Sequence, residues 1–176
     1  NEGQKGWGWW VDGSSGANAQ FEVMPGSGIN SSAAARFVIT KGDRPWQVLL
    51  LQQKNLVLHS GQSYTLSFWA RSDHSSTLHA KIVQDSSLGA DTGFDVQTTL
   101  TSQWQRYTLS DVSDVSINKG ELRFELGGSP GEIWLDEVHL QAGSLGVWAR
   151  PFQNGLAVVN STPDMQTVTL SAPYCK

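Results

Sequence analysis

The sequence predicts an all-β chain folded as a two-sheet sandwich of jelly-roll type, and three observations predict it. Apolar and polar residues alternate with a period of two over many short runs. Turn-forming dipeptides punctuate those runs at regular spacing. No stretch carries a convincing 3.6-residue period. The clearest run is Gly120 to Gly128, in which Leu122, Phe124 and Leu126 alternate with Glu121, Arg123 and Glu125. In a strand that alternation sends the apolar set to one face and the charges to the other. One oily face and one polar, aromatic-decorated face suit a sandwich holding a polar ligand in a groove on the outside of one sheet.

The elements follow in order. Trp7 to Asp12 ends at Asp12-Gly13, and Gln20 to Met24 ends at Pro25-Gly26. Ala34 to Thr40 ends at Lys41-Gly42-Asp43, and Trp46 to Gln52 follows. Ser63 to Ala70, Thr77 to Gln84, Asp95 to Leu100, Gln105 to Leu109, Glu121 to Leu126 and Glu132 to Gln141 complete the set. Nine or ten such strands suit two packed sheets. After Gly143 the pattern changes, so residues 1–143 read as the sandwich and 144–176 as a β extension. Leu156 to Val159 and Thr167 to Leu170 are its expected strands, packing on the sandwich or belonging to a neighbouring domain.

Composition narrows the function. With 176 residues the chain can bury one sizeable core. Eighteen glycines, eight tryptophans and only 16% charged residues suit a secreted all-β domain, so an extracellular location is expected. A net charge of −4 without a basic cluster speaks against nucleic acid. The lone Cys175 excludes an internal disulfide framework. No apolar run approaches the roughly 20 residues needed to span a bilayer, so no membrane partner is expected. Neither a starting Met nor a signal peptide opens the sequence, which reads as a processed piece.

Three blocks carry a family resemblance. Gly61 to Arg71 (GQSYTLSFWAR), Leu100 to Tyr107 (LTSQWQRY) and Leu135 to Val138 (LDEV), with the earlier pair Gly6-Trp7, resemble carbohydrate-binding modules of families 4, 9 and 22 over about residues 3 to 142. The resemblance implies a jelly roll that binds polysaccharide in a groove on one sheet and rides beside a covalently linked glycoside hydrolase. Two features depart from the pattern. The family's first strand is absent before Asn1, and Arg150 to Asn160 instead resembles a C-terminal strand pair of some glycoside hydrolases.

Sugar binding gives the polar face its logic. The C–H face of a pyranose lies flat on an indole, and its equatorial hydroxyls need polar partners around the rim. Trp7 and Trp104 fall where the family buries an aromatic and are expected in the core. Trp10 has the opposite parity from Trp7 and matches a ligand-stacking aromatic. Gln52 matches a groove amide, and if it points into the groove then Trp46, Val48 and Leu50 share its face. Phe94 matches a groove tyrosine once a loop insertion from Ser86 to Thr92 is allowed. His79 matches a groove arginine and shares a face with Lys81, while Gln84 or Asp85 matches a groove amide. Glu121 and Glu125 match two groove glutamines, with Arg123 between them. A plain reading of that trio is a solvated charge ladder. Trp69 and Trp134 have outward parity and are expected on the opposite sheet, with Arg36 near Trp134; the extension covers them or they form a second sugar surface. Asp136 matches a carboxylate ligand of a structural Ca²⁺, or else caps a turn or pairs with Arg36.

An enzyme is the competing class. A glycosidase needs two carboxyl groups about 5 to 9.5 Å apart. Glu121 and Glu125 would stand about 13 Å apart at about 3.4 Å per residue. Asp85 with Glu125 stays open, as does a lyase built on His79, Lys81 and Arg123. No nucleophile elbow and no metal-binding histidine cluster appears. The sequence therefore favours a monomeric, non-catalytic module for a β-linked polysaccharide of the β-glucan or xylan type. A ligand-free accessory domain is the third reading.

Overall fold

The structure is a computed structural model and describes residues 7–52, 55–85, 89–143, 147–153 and 155–160. The chain divides into two units, residues 1–143 and 144–176. The first unit is the β-sandwich of jelly-roll type that the alternation predicts. Its strands are β1 (Trp7–Val11), β2 (Asn18–Met24), β3 (Ala34–Lys41), β4 (Val48–Gln52), β5 (Leu56–Leu58) and β6 (Ser63–Ser72). They continue with β7 (Ser76–Gln84), β8 (Asp91–Leu100), β9 (Gln105–Val112), β10 (Ile117–Glu125) and β11 (Gly131–Ala142). One sheet, sheet A, runs β1-β4-β10-β7-β8, with β5 also paired to β10. The other, sheet B, runs β2-β3-β11-β6-β9. Every pairing is antiparallel.

The core lies between the sheets. Phe37, Leu66 and Phe68 of sheet B meet Leu78, Phe94, Leu122 and Phe124 of sheet A, all with no residual exposure. Phe124 packs edge-on against Phe68, with ring centroids 5.3 Å apart. Trp7 seals the core margin 6.2 Å from Phe124 and is half-buried. Trp104, expected inside, is instead half-buried in the loop before β9, with the Arg71 guanidinium 5.4 Å from its ring centroid.

The segment 46–52 also departs from expectation. Pro45–Gln47 forms a 3-10 turn, and only Val48–Gln52 is strand. Gln47 fixes that turn: its Oε1 accepts from Asp43 N at 2.9 Å and Arg44 N at 3.1 Å, and its Nε2 donates to Ser15 Oγ at 3.0 Å. The turn resets the alternation, so Val48 and Leu50 enter the core. In the second unit β12 (Val147–Phe152) pairs with β13 (Gly155–Asn160). Leu156 to Val159 thus finds its partner on its N-terminal side, while Thr167 to Leu170 lies outside the described residues.

Candidate functional site

Register across sheet A decides which side chains share its outer face. In β10, Leu122 and Phe124 point inward, so Glu121, Arg123 and Glu125 point outward. Glu125 pairs with Leu49 of β4 and His79 of β7; Leu49 pairs with Trp10 of β1, and His79 with Gln97 of β8. Five strands therefore contribute one transverse row, Trp10–Leu49–Glu125–His79–Gln97. At about 4.8 Å per strand spacing it spans about 19 Å. A second row holds Gly8, Arg123, Lys81 and Asp95, and beyond it Glu121 pairs with Val83.

The two rows differ in their electrostatics. In the second, Lys81 Nζ meets Asp95 Oδ2 at 3.1 Å, and Arg123 Nε meets Glu121 Oε1 at 2.6 Å. Glu121 is buried, and Gly89, with φ +56°, lies against the Arg123 guanidinium. Burial alone would lower the Lys81 pKa, but its hydrogen bond to Asp95 and the charges of Glu125, Asp95 and Asp91 outweigh that and raise it. In the first row, Glu125, His79 and Gln97 make no hydrogen bond or ion pair with the described residues. Trp10 stands beside them 44% exposed. The second row pairs its charges within itself, whereas the first offers an exposed indole and polar groups outside any hydrogen bond or ion pair among the described residues.

The other expected residues sort as follows. Trp46 is 47% exposed, on the turn leading into β4, where Asp12 N donates to Gln47 O at 2.9 Å. It thus lies at the β1 edge that also carries Trp10. Phe94 is fully buried in β8 and is not a groove residue. The strand begins at Asp91, before the expected start, and a bulge at Gly93 (φ +85°) sets Phe94 into the core and Asp95 outward. Gln84 follows the inward alternation of Ala80 and Ile82 and is exposed at the strand end, off the groove face. Asp85 lies past that end, its N–H donating to Lys119 O at 2.6 Å. Position 52 pairs with Trp7 in the register, and the Gln52 side chain lies outside the described residues. Leu49, Asp95 and Gln97 are the residues the sequence reading missed. Alternation through Phe94, Val96 and Leu100 would have exposed the last two.

Asp136 serves a turn. Its Oδ2 accepts from Ile29 N at 2.8 Å and from Ser32 Oγ, and its Oδ1 accepts from Glu137 N at 2.8 Å. A calcium shell needs about six oxygen ligands. Hydrogen-bond donors surround this carboxylate instead, and no cluster of three metal-ligating side chains exists among the described residues. The arrangement does not fit a calcium ion. A cavity of about 170 Å³ opens next to it, lined by Trp7, Phe21, Leu50, Leu135 and Val138. Those linings are core-facing, so the cavity is a packing gap between the sheets and separate from the polar face.

A sandwich with an indole-edged polar face open across one sheet presents a surface on which an extended ligand can lie. Comparison with known proteins gives the family. The carbohydrate binding domain model for families 4 and 9 matches residues 2–132, and the chain belongs to that family. A solved family 4 module is 25% identical, with a TM-score of 0.64 over 78% of this chain and 86% of that one. The N-terminal cellulose-binding domain of Cellulomonas fimi β-1,4-glucanase C is 21% identical, with a TM-score of 0.57 over 80% and 91%. The xylan-binding CBM22-1 domain of Paenibacillus barcinonensis Xyn10C shares the fold at 11% identity, with a TM-score of 0.53 over 78% and 86%. No curated protein matches the chain. The protein is a carbohydrate-binding module.

Proposed function

We propose that the module binds internal stretches of a β-linked polysaccharide, β-glucan first and xylan next, along the row from Trp10 to Gln97. One observation carries the reading: an exposed indole shares a row with Glu125, His79 and Gln97, whose side chains make no hydrogen bond or ion pair with the described residues. Glu125 accepts from sugar hydroxyls, Gln97 donates and accepts, and Trp10 takes a C–H face of the ring. Lys81 and Arg123 are spent on Asp95 and Glu121, which supports an uncharged chain as ligand. The row runs out at two edge strands, β1 and β8, so a long chain can pass through without an end.

The role is binding without catalysis, in a secreted, monomeric module that brings a linked glycoside hydrolase to its polymer. The carboxylate layout supports this. Asp85 lies six residues beyond His79, the partner of Glu125, hence about 20 Å away at about 3.4 Å per residue. A screen of about ten polysaccharides in affinity gels, with long incubation of each binder, tests the reading. Retardation by β-glucans without release of reducing ends or ultraviolet-absorbing products is expected. Turnover that vanishes in Glu125→Gln would replace the module with an enzyme.

A further inference from the structure

The outer face of sheet B holds an arginine that no carboxylate among the described residues neutralises. Trp134 of β11 pairs with Arg36 of β3 on one side and Arg71 of β6 on the other. The Arg36 guanidinium carbon lies 5.4 Å from the Trp134 ring centroid, and that of Arg71 lies 4.6 Å from Trp134 and 5.4 Å from Trp104. The two arginines then part company. Arg36 is spent: Glu132 takes its Nε at 3.1 Å and one Nη at 2.6 Å, and Glu22 takes the other Nη at 3.1 Å. Arg71 makes no ion pair or hydrogen bond with any described residue, and its buried Nε–H has no acceptor. Its Nη nitrogens, equally without partners yet not buried, reach the surface.

An unpaired buried donor is rare enough to require an explanation. A guanidinium held between two indoles is fixed in plane, with its fork pre-organised for a planar anion. The surroundings favour such a ligand. Trp69 precedes Arg71 by two residues on the same face and is half-buried. Opposite Trp69 on β9 stands Arg106, exposed and without an ion pair among the described residues. The nearby carboxylates are committed, Glu22 and Glu132 to Arg36 and Asp136 to the 29–32 turn.

We propose that this face is a second glycan site, in which the Nη pair of Arg71 binds the carboxylate of a uronic-acid unit whose ring rests on Trp69. Arg106 takes the charge of a neighbouring acidic unit. The site is separate from the groove, whose cations are already paired, so an acidic chain goes to sheet B and a neutral one to sheet A. Affinity here falls with added salt, because at least one contact is a charge pair at the surface.

The test titrates the full chain with a galacturonic-acid oligomer and with its carboxyl-reduced counterpart, following tryptophan fluorescence. The acidic oligomer binds and the reduced one does not. Arg71→Gln and Arg71→Lys each weaken binding about tenfold or more, the second because charge without the fork loses the bidentate geometry. Arg106→Gln, at an exposed position, weakens it severalfold and keeps the result readable if the Arg71 variants fail to melt cooperatively. Trp10→Ala leaves it unchanged, which separates this site from the groove whatever the groove binds. Equal binding of both oligomers, undiminished binding by Arg71→Gln, or no binding by the parent chain overturns the proposal.

Discussion

The outer faces of the two sheets use the same side-chain types in opposite ways. On sheet A the indole of Trp10 is free, and the cations beside it are paired to carboxylates. On sheet B Trp134 lies against two guanidinium groups, and it is a cation, Arg71, that stays free. An outward tryptophan is therefore not a sugar platform by itself. What decides is whether its face and its polar neighbours are already spent.

The contrast can be broken at its base. Phe124→Ala empties a fully buried site between the sheets, next to Trp7 and Phe68. It should cost about 3–5 kcal/mol in chemical denaturation and impair both faces together. Loss of one face alone at unchanged stability would show that the sheets do not share this core.

Trp134→Ala should cost about 1–3 kcal/mol of stability, since two stacked guanidinium groups lose their platform, and should spare β-glucan affinity. Asp136→Ala frees the Ile29 and Ser32 donors and should cost about 1–3 kcal/mol. A chelator should leave Tm unchanged in the parent chain; a fall in Tm on chelation would restore the calcium reading of Asp136.

The smallest effect is the pH dependence of sheet B. The hydrogen bond from Arg36, with the charge of that arginine, holds the Glu132 carboxyl below its ordinary 4.5. A carboxyl depressed by folding stabilises above its unfolded value and loses that contribution as pH falls through the folded one. Glu132 is about a third exposed, so the contribution is under about 1 kcal/mol. Glu132→Gln should remove it, lowering Tm slightly at pH 7 and giving a shallower acid limb, so that variant and parent converge as pH falls from about 5 to 2.

Much of this was legible in the sequence because alternation is a local signal. Glu121 to Leu126 placed Arg123 and Glu125 on the outer face directly, and the parities of Trp10, Trp69 and Trp134 came out as the register has them. Alternation failed where the backbone left the pleat. The 3-10 turn at Pro45–Gln47 put Val48 and Leu50 inside, while Phe94, read as a groove residue by resemblance rather than by parity, lies inside beside the bulge at Gly93. Both depend on hydrogen bonds to distant residues, such as Gln47 to Ser15 and Thr92 to Ile82. The stacking around Arg71 escaped for a related reason. Its partners come from β11 and from the loop before β9, and only pairing across the sheet brings them together.

The most direct test of the account is the affinity of Trp10→Ala for a β-glucan that the parent chain binds, measured calorimetrically beside Tm. Stacking on a free indole predicts a loss of about 1–3 kcal/mol in binding with Tm nearly unchanged. A large fall in Tm with undiminished affinity would contradict it, making Trp10 a structural residue and moving the glycan off the row.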